Sequence, residues 1–158
     1  MSNFDYYLEG RWPQADRMLE FTENVLQHFF KYKMKRPVEV HLKMSSHFSG
    51  YDVGYCSGDR DSVEINLSRR IRDEEGNYHL RDLQGLYTTL AHELVHAKQF
   101  IRGEINNNSM SYRASGDYSD TPYKSLPWEH EAYMLEDFLY KLYWTNHSKI
   151  DITRKVFL

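Results

Sequence analysis

The sequence predicts a single α+β domain, in which a small, mainly antiparallel sheet of three strands packs with three helices. The chain has 158 residues, which is enough to bury one core. Three segments with strand character lie together between residues 38 and 67, and two of them alternate apolar and polar residues cleanly. Two helices are expected after them. Strands grouped in this way favour α+β over a doubly wound sheet.

The first half of the chain is expected to form one helix and the three strands. Residues 13 to 33 carry apolar side chains three and four positions apart, as in an amphipathic helix, and Pro37 closes the segment. Residues 38 to 44, VEVHLKM, alternate as a half-buried strand does. Residues 51 to 67 contain two further strand segments around the turn GDRD and predict a hairpin.

The second half is expected to hold two helices separated by a long loop. A helix of about residues 81 to 102 has leucines on its core side and Gly103 as its C-terminal cap. Residues 104 to 125 show no apolar periodicity, and a loop of this length in a small domain is usually functional or disordered. Pro127 then suits the first turn of a last helix, of about residues 126 to 144.

Composition and charge restrict the class of protein. With 41% hydrophobic and 27% charged residues, the chain is expected to be a soluble globular protein rather than a disordered one. Its formal net charge of −3 indicates no basic excess for nucleic acid, and no stretch has the length of apolar sequence that a membrane span needs. Cys56 is the single cysteine, and no signal peptide is recognisable. We therefore expect a cytoplasmic protein without a nucleic-acid or membrane partner.

Residues 89 to 100, TLAHELVHAKQF, contain the pattern H-E-x-x-H within the predicted long helix. His92 and His96 are four positions apart, so they lie on the same face and can bind one metal ion. Glu93 lies one position round the helix, where its carboxylate can reach a water bound to the metal and take its proton. The alternative is an ordinary helix with two surface histidines, but the flanking residues are apolar, and burying unpaired polar groups there would be costly. The pattern predicts one Zn²⁺ per chain.

Catalytic zinc usually has three protein ligands, so a third ligand is expected from the last helix. Glu131 shares its helical face with three apolar residues, and a glutamate on such a stripe needs a partner, for which zinc is suitable. Glu131 is therefore the preferred ligand. Glu129 is the second choice, because it lies on an intermediate face of the helix. Its negative charge in the first turn has another explanation, which is that it stabilises the helix dipole. His130 is expected to face outward.

The two helices together resemble a known family of enzymes. HELVH on a long helix, followed some tens of residues later by a glutamate on another helix, resembles the gluzincin arrangement of zinc metallopeptidases. The pairing of HELVHAKQF with LPWEHEAY is more similar to small phage metallopeptidases of the SprT-like and ImmA/IrrE-like kinds, over about residues 83 to 142. The resemblance implies a minimal zincin-like fold, whose edge strand pairs with extended substrate.

The same resemblance implies roles for individual residues. It implies His92, His96 and Glu131 as zinc ligands and Glu93 as the general base. It also implies a peptide or protein substrate, and a place in the host-cell cytoplasm if the protein is viral.

A peptidase of this kind also needs a hydrogen-bond donor for the oxyanion of the tetrahedral intermediate. The sequence leaves five candidates open, four in the long loop and one beyond the last helix: Tyr112, Arg113, Tyr118, Tyr123 and His147.

The leading functional hypothesis is thus a zinc-dependent metallopeptidase that hydrolyses peptide bonds. An alternative from another class is a catalytically weak zincin-fold protein that acts by binding a protein partner. Glu93 argues against this alternative, since a site without catalysis has no use for a base. A purely structural zinc site is least favoured, because such sites are usually rich in cysteine and Cys56 is far from the motif in sequence.

Overall fold

A computed structural model of the chain describes residues 3–48, 52–105 and 120–146. Within these ranges the protein is α+β, with three α-helices, a mixed sheet of four strands and a separate two-stranded hairpin. The elements in chain order are β1 (Phe4–Glu9), α1 (Ala15–Phe29), β2 (Val38–Ser45), β3 (Gly54–Gly58), β4 (Ser62–Ser68), β5 (Arg70–Arg72), β6 (Tyr78–Leu80), α2 (Leu83–Ile101), a short 3₁₀ helix (Tyr123–Ser125) and α3 (Pro127–Asn146).

The four-stranded sheet has the order β1-β2-β4-β3. Strands β1, β2 and β4 are parallel to one another, and only β3 is antiparallel to its neighbour. The predicted hairpin is confirmed, since β3 pairs with β4 in a register that joins Gly54 to Leu67 and Gly58 to Val63. The prediction of a three-stranded, mainly antiparallel sheet is wrong in its strand number and in its strand direction, since two of the three strand pairs are parallel.

The strand that was not predicted is β1, although its sequence carries a strand signal. Its segment FDYYLE alternates, and Phe4, Tyr6 and Leu8 are all buried. Alternation predicts which side chains face the core, but not which neighbouring strand supplies the hydrogen bonds. The helix α1 lies between β1 and β2 in the chain, and such a crossover makes the parallel pairing possible.

Helix α2 lies at the centre of the molecule. It packs against β3 and β4 of the sheet and against both other helices. It begins after Asp82, whose side chain accepts a hydrogen bond from the backbone N–H of Gly85 at 2.7 Å. It ends near Gly103, which has the positive φ of 70° that favours glycine after a helix. Every residue of its last three turns is buried, so polar side chains there must find partners inside the protein.

The bounds of the other predicted segments are close to those of the structure. The last helix is Pro127–Asn146 rather than about 126 to 144, and α1 ends at Phe29 rather than near residue 33. Most of the predicted loop, residues 106–119, lies outside the described residues. No helix within the described ranges is both long enough and apolar enough to cross a membrane.

Candidate metal centre

Two histidines of α2 and one glutamate of α3 form a buried group that could hold a metal ion. His92, His96 and Glu129 each offer one ligand atom, and these atoms lie within 4.8 Å of one another. The Nε2 atom of His92 is 3.1 Å from one carboxylate oxygen of Glu129, and the Nε2 atom of His96 is 2.9 Å from the other. The three residues are 4 to 8% exposed. The predicted convergence of the two histidines is therefore what the structure shows.

The structure does not bring Glu131 to this group. Its carboxylate instead lies 2.5 Å from Nζ of Lys98 and accepts a hydrogen bond from Nε2 of Gln99 at 3.0 Å. Glu129, the second choice from the sequence, occupies the position expected for Glu131. Glu131 does have a partner, but that partner is a buried lysine rather than the metal group. The expectation of a core-facing stripe is wrong, since the side chain of Glu131 is 30% exposed and Phe138, one of the three apolar residues on its face, is 49% exposed.

Glu93 is buried beside the two histidines, at 6% exposure. Burial raises the pKa of its carboxyl to about 7, against the opposing effect of His96 and His92. Strand β3 passes close to Glu93. A Cβ atom added to Gly54 of this strand would be only 3.4 Å from Cγ of Glu93. A carboxylate with this pKa, in this position, can exchange a proton near neutral pH.

The outer nitrogen of each histidine also has a partner. Nδ1 of His92 is 2.8 Å from a carboxylate oxygen of Glu136, and Nδ1 of His96 is 2.7 Å from Oε1 of Gln99. A histidine that donates Nδ1–H in this way can present the lone pair of Nε2 to a metal ion once Nε2 has lost the proton that it shares with Glu129. Both Nε2 atoms face Glu129, so both rings are oriented as ligation requires.

Glu136 and Gln99 were not predicted from the sequence to belong to the site, although helical spacing offered a signal for each of them. Glu136 is seven residues after Glu129, two helical turns, and so lies on the same face of α3. Gln99 is three residues after His96 on α2 and shares its face. No motif marked either residue, because a partner of the outer nitrogen can be any acceptor that lies within reach.

The electrostatics of the group favour a cation. Burial alone would lower the pKa of His92. Hydrogen bonds with Glu129 and Glu136 have the larger, opposite effect and raise this pKa to about 9. The same balance, with Glu129 as the main partner, raises the pKa of His96. Burial raises the pKa of Glu129, but its hydrogen bonds with the two histidines bring it down to about 2. Glu129 therefore stays ionised, and the position between it and the histidines is one where positive charge is stabilised.

Two tyrosines stand at the edge of the metal group. Tyr123, one of the five oxyanion candidates, is 60% exposed; burial of its hydroxyl raises its pKa, as do the charge of Glu129 and a hydrogen bond with it. Tyr133, which the sequence analysis did not single out, packs edge-on against the ring of His92 with centroids 4.6 Å apart. The other four candidates, Tyr112, Arg113, Tyr118 and His147, lie outside the described residues.

Comparison with known proteins adds no relative from which a function could be transferred. No family model matches the chain, and neither the curated proteins nor the solved structures contain a significant match. The function therefore has to be proposed from the residues of the site.

Proposed function

We propose that the chain is a zinc-dependent metallopeptidase, in which His92, His96 and Glu129 bind zinc and Glu93 is the general base. The observation that carries this proposal is the buried convergence of two imidazoles and one carboxylate, with a second carboxylate next to them in sequence. The resemblance of HELVHAKQF and LPWEHEAY to gluzincin and small phage peptidases supports the same function, with Glu129 in place of Glu131 as the ligand.

The donor set fits zinc. Two nitrogens and one carboxylate oxygen are a ligand set of catalytic zinc, which keeps a fourth position open. Ligand atoms at the zinc distances of about 2.0–2.2 Å in a tetrahedron would be roughly 3.4 Å apart. In the structure one ligand atom from each residue lies within 4.8 Å of the others, and each histidine nitrogen faces a different oxygen of Glu129, at 3.1 and 2.9 Å, so a small rearrangement of these side chains would bring three ligand atoms to that spacing. The two Nδ1–H partners, Glu136 and Gln99, already hold the rings in the ligating orientation.

The residues of the chain divide the work of hydrolysis between them. Bound zinc would supply a Lewis acid that polarises the scissile carbonyl and makes water more acidic. Glu93 accepts the proton of the attacking water and passes it to the leaving amine, which completes the cleavage. Burial of the group limits access of bulk water to these steps.

Zinc content and the substitution Glu93→Gln test this proposal together. The wild-type protein, purified without chelators or a histidine tag, should contain about one zinc per chain by elemental analysis and should cleave members of a peptide library. Glu93→Gln should keep the zinc and lose the cleavage, because the amide cannot accept a proton. Glu74→Gln makes the same chemical change at an exposed position and should alter neither property. Cleavage that persists in Glu93→Gln, or wild-type protein that binds no zinc, would contradict the proposal.

A second candidate is the catalytically weak, partner-binding protein that the sequence left open. One observation favours it: α3 exposes Met134 at 66% and Phe138 at 49%, four residues apart and so on one face of the helix. Exposed apolar side chains that lie next to each other can form part of a surface that contacts another molecule. Zinc binding without any peptide cleavage, in the same experiment, would favour this candidate.

A further inference from the structure

A chain of polar side chains leads from His96 to a buried lysine. Oε1 of Gln99 lies 2.7 Å from Nδ1 of His96, and Nε2 of Gln99 donates to Oε1 of Glu131 at 3.0 Å. The same oxygen of Glu131 lies 2.5 Å from Nζ of Lys98, and Lys98 also contacts the carboxylate of Glu104 at 3.0 and 3.3 Å. Hydrogen bonds through Gln99 and Glu131 therefore connect the metal group to Lys98 and Glu104.

The orientation of the Gln99 amide decides what His96 can do. Its nitrogen faces two acceptors, the carbonyl oxygen of Trp128 at 2.9 Å and the carboxylate of Glu131. If the amide were rotated by half a turn, its oxygen would face these two oxygens, and its N–H groups would face Nδ1 of His96. In that arrangement Nδ1 would have to be an acceptor, so the imidazole would carry its proton on Nε2, where the metal must bind.

We propose that Gln99 and Glu131 are positioning residues of the metal centre. Glu131 holds the Gln99 amide so that its oxygen accepts Nδ1–H of His96, and the lone pair of Nε2 then faces the metal. This proposal rests on the metal-binding part of the proposed function, and it gives Glu131 an indirect role in place of the direct ligation expected from the sequence.

The burial of these polar side chains explains why the proton position on His96 depends on Gln99 and Glu131. Gln99 is fully buried at 0% exposure, and the side chain of Lys98 is 4% exposed. Water cannot easily replace a lost partner at such positions, so each member depends on its neighbour. The other histidine has a different arrangement, since Nδ1 of His92 is next to Glu136, an acceptor that has no second orientation. Only His96 therefore depends on the orientation of an amide.

The difference between the two histidines provides an internal control for the test. Zinc-loaded, ¹⁵N-labelled wild-type protein should show two protected imidazole Nδ1–H signals by NMR, one from His92 and one from His96. Gln99→Leu removes the acceptor of His96. The His96 signal should be lost or exchange rapidly, the His92 signal should remain, and zinc affinity should fall roughly tenfold to a hundredfold, as is usual for such partners.

Two substitutions at Glu131 separate positioning from a general effect on the fold. Glu131→Leu leaves the Gln99 amide with the Trp128 carbonyl as its remaining acceptor, so it should weaken zinc binding and the His96 signal in the same direction as Gln99→Leu, but by less. Glu131→Gln can still present an oxygen to Gln99 and should restore both. Zinc affinity is measured by competition with a chromophoric chelator, at a temperature where circular dichroism shows every variant folded.

Three results would overturn the proposal. If Glu131→Leu lowers the melting temperature while zinc affinity and the His96 signal stay at wild-type values, Glu131 serves only the fold. If Gln99→Leu binds zinc as tightly as the wild type, the amide does not position His96, although the proposed peptidase would stand. Wild-type protein that takes up no zinc would remove both this proposal and the proposed function.

Discussion

Replacing Lys98 by methionine should destabilise the protein strongly, even in the absence of metal. The side chain of Lys98 is 4% exposed and that of Glu104 is 9% exposed, so their ion pair is shielded from water. Methionine has a similar length but no charge, and it would leave the buried carboxylate of Glu104 without its cation. Breaking a buried pair by removing one partner costs about 3–5 kcal/mol. Glu131, with 30% of its side chain exposed, can regain some hydration, so it adds little to this figure.

The assay is thermal unfolding followed by circular dichroism, with a chelator in every sample so that metal binding does not contribute. For a domain of this size each kcal/mol corresponds to about 2–4 °C, so Lys98→Met should lower the melting temperature by roughly 6–20 °C. The matched control is Lys141→Met, which removes a lysine whose ion pair with Asp137 is exposed and should leave the melting temperature unchanged. The double variant Lys98→Met with Glu104→Leu should recover part of the loss, because it removes the stranded carboxylate as well. Equal melting temperatures for the two lysine variants, or no recovery in the double variant, would refute the reasoning.

Three further substitutions test the metal group and its surroundings. Glu129→Gln should lower zinc affinity by more than about 100-fold in a chelator competition, since ligands contribute more than their outer partners do; near wild-type affinity would mean that the third ligand is another residue. Glu136→Leu should lower it by about 10–100-fold, because His92 loses the acceptor of its Nδ1–H; no change would make that contact incidental. Gly54→Ala should cost about 1–3 kcal/mol in urea unfolding, because the added methyl would lie 2.9 Å from side-chain carbons of Leu67 and Thr89; unchanged stability would show that β3 can move away from α2.

The two histidines of the metal group could be predicted from the sequence because their signal is local. Helical spacing alone places His92 and His96 on one face, and the apolar residues around them indicate that this face is inside. The central helix and the β3–β4 hairpin were predictable for the same reason, since their patterns lie within a few residues of one another. Strand β1 has a local signal, the alternation of FDYYLE, and could have been predicted in the same way. Its parallel pairing with β2 could not, because pairing between distant segments has no local pattern.

The third ligand was harder to predict, because two glutamates on the same turn of α3 are candidates for this role. Glu129 and Glu131 are two residues apart on α3, and positions two apart point about 200° away from each other on a helix. Both lie near α2 in the structure, but they meet different parts of it: one reaches the histidines and the other reaches Lys98. Choosing between them requires knowing which partner is present on each side of α3.

The partner on the side of Glu131 was hidden because lysine is almost never fully buried unless it is paired. A lysine beside HELVHA would ordinarily be placed at the surface, which leaves Glu131 as an unpaired carboxylate on an apolar stripe and makes the metal its natural partner. Once Lys98 is known to be buried, the argument reverses, because its charge needs a carboxylate as much as Glu131 needs a cation. Lys98 takes two carboxylates, Glu104 and Glu131, and with Glu131 paired to the lysine Glu129 is the glutamate of this turn that remains for the histidines.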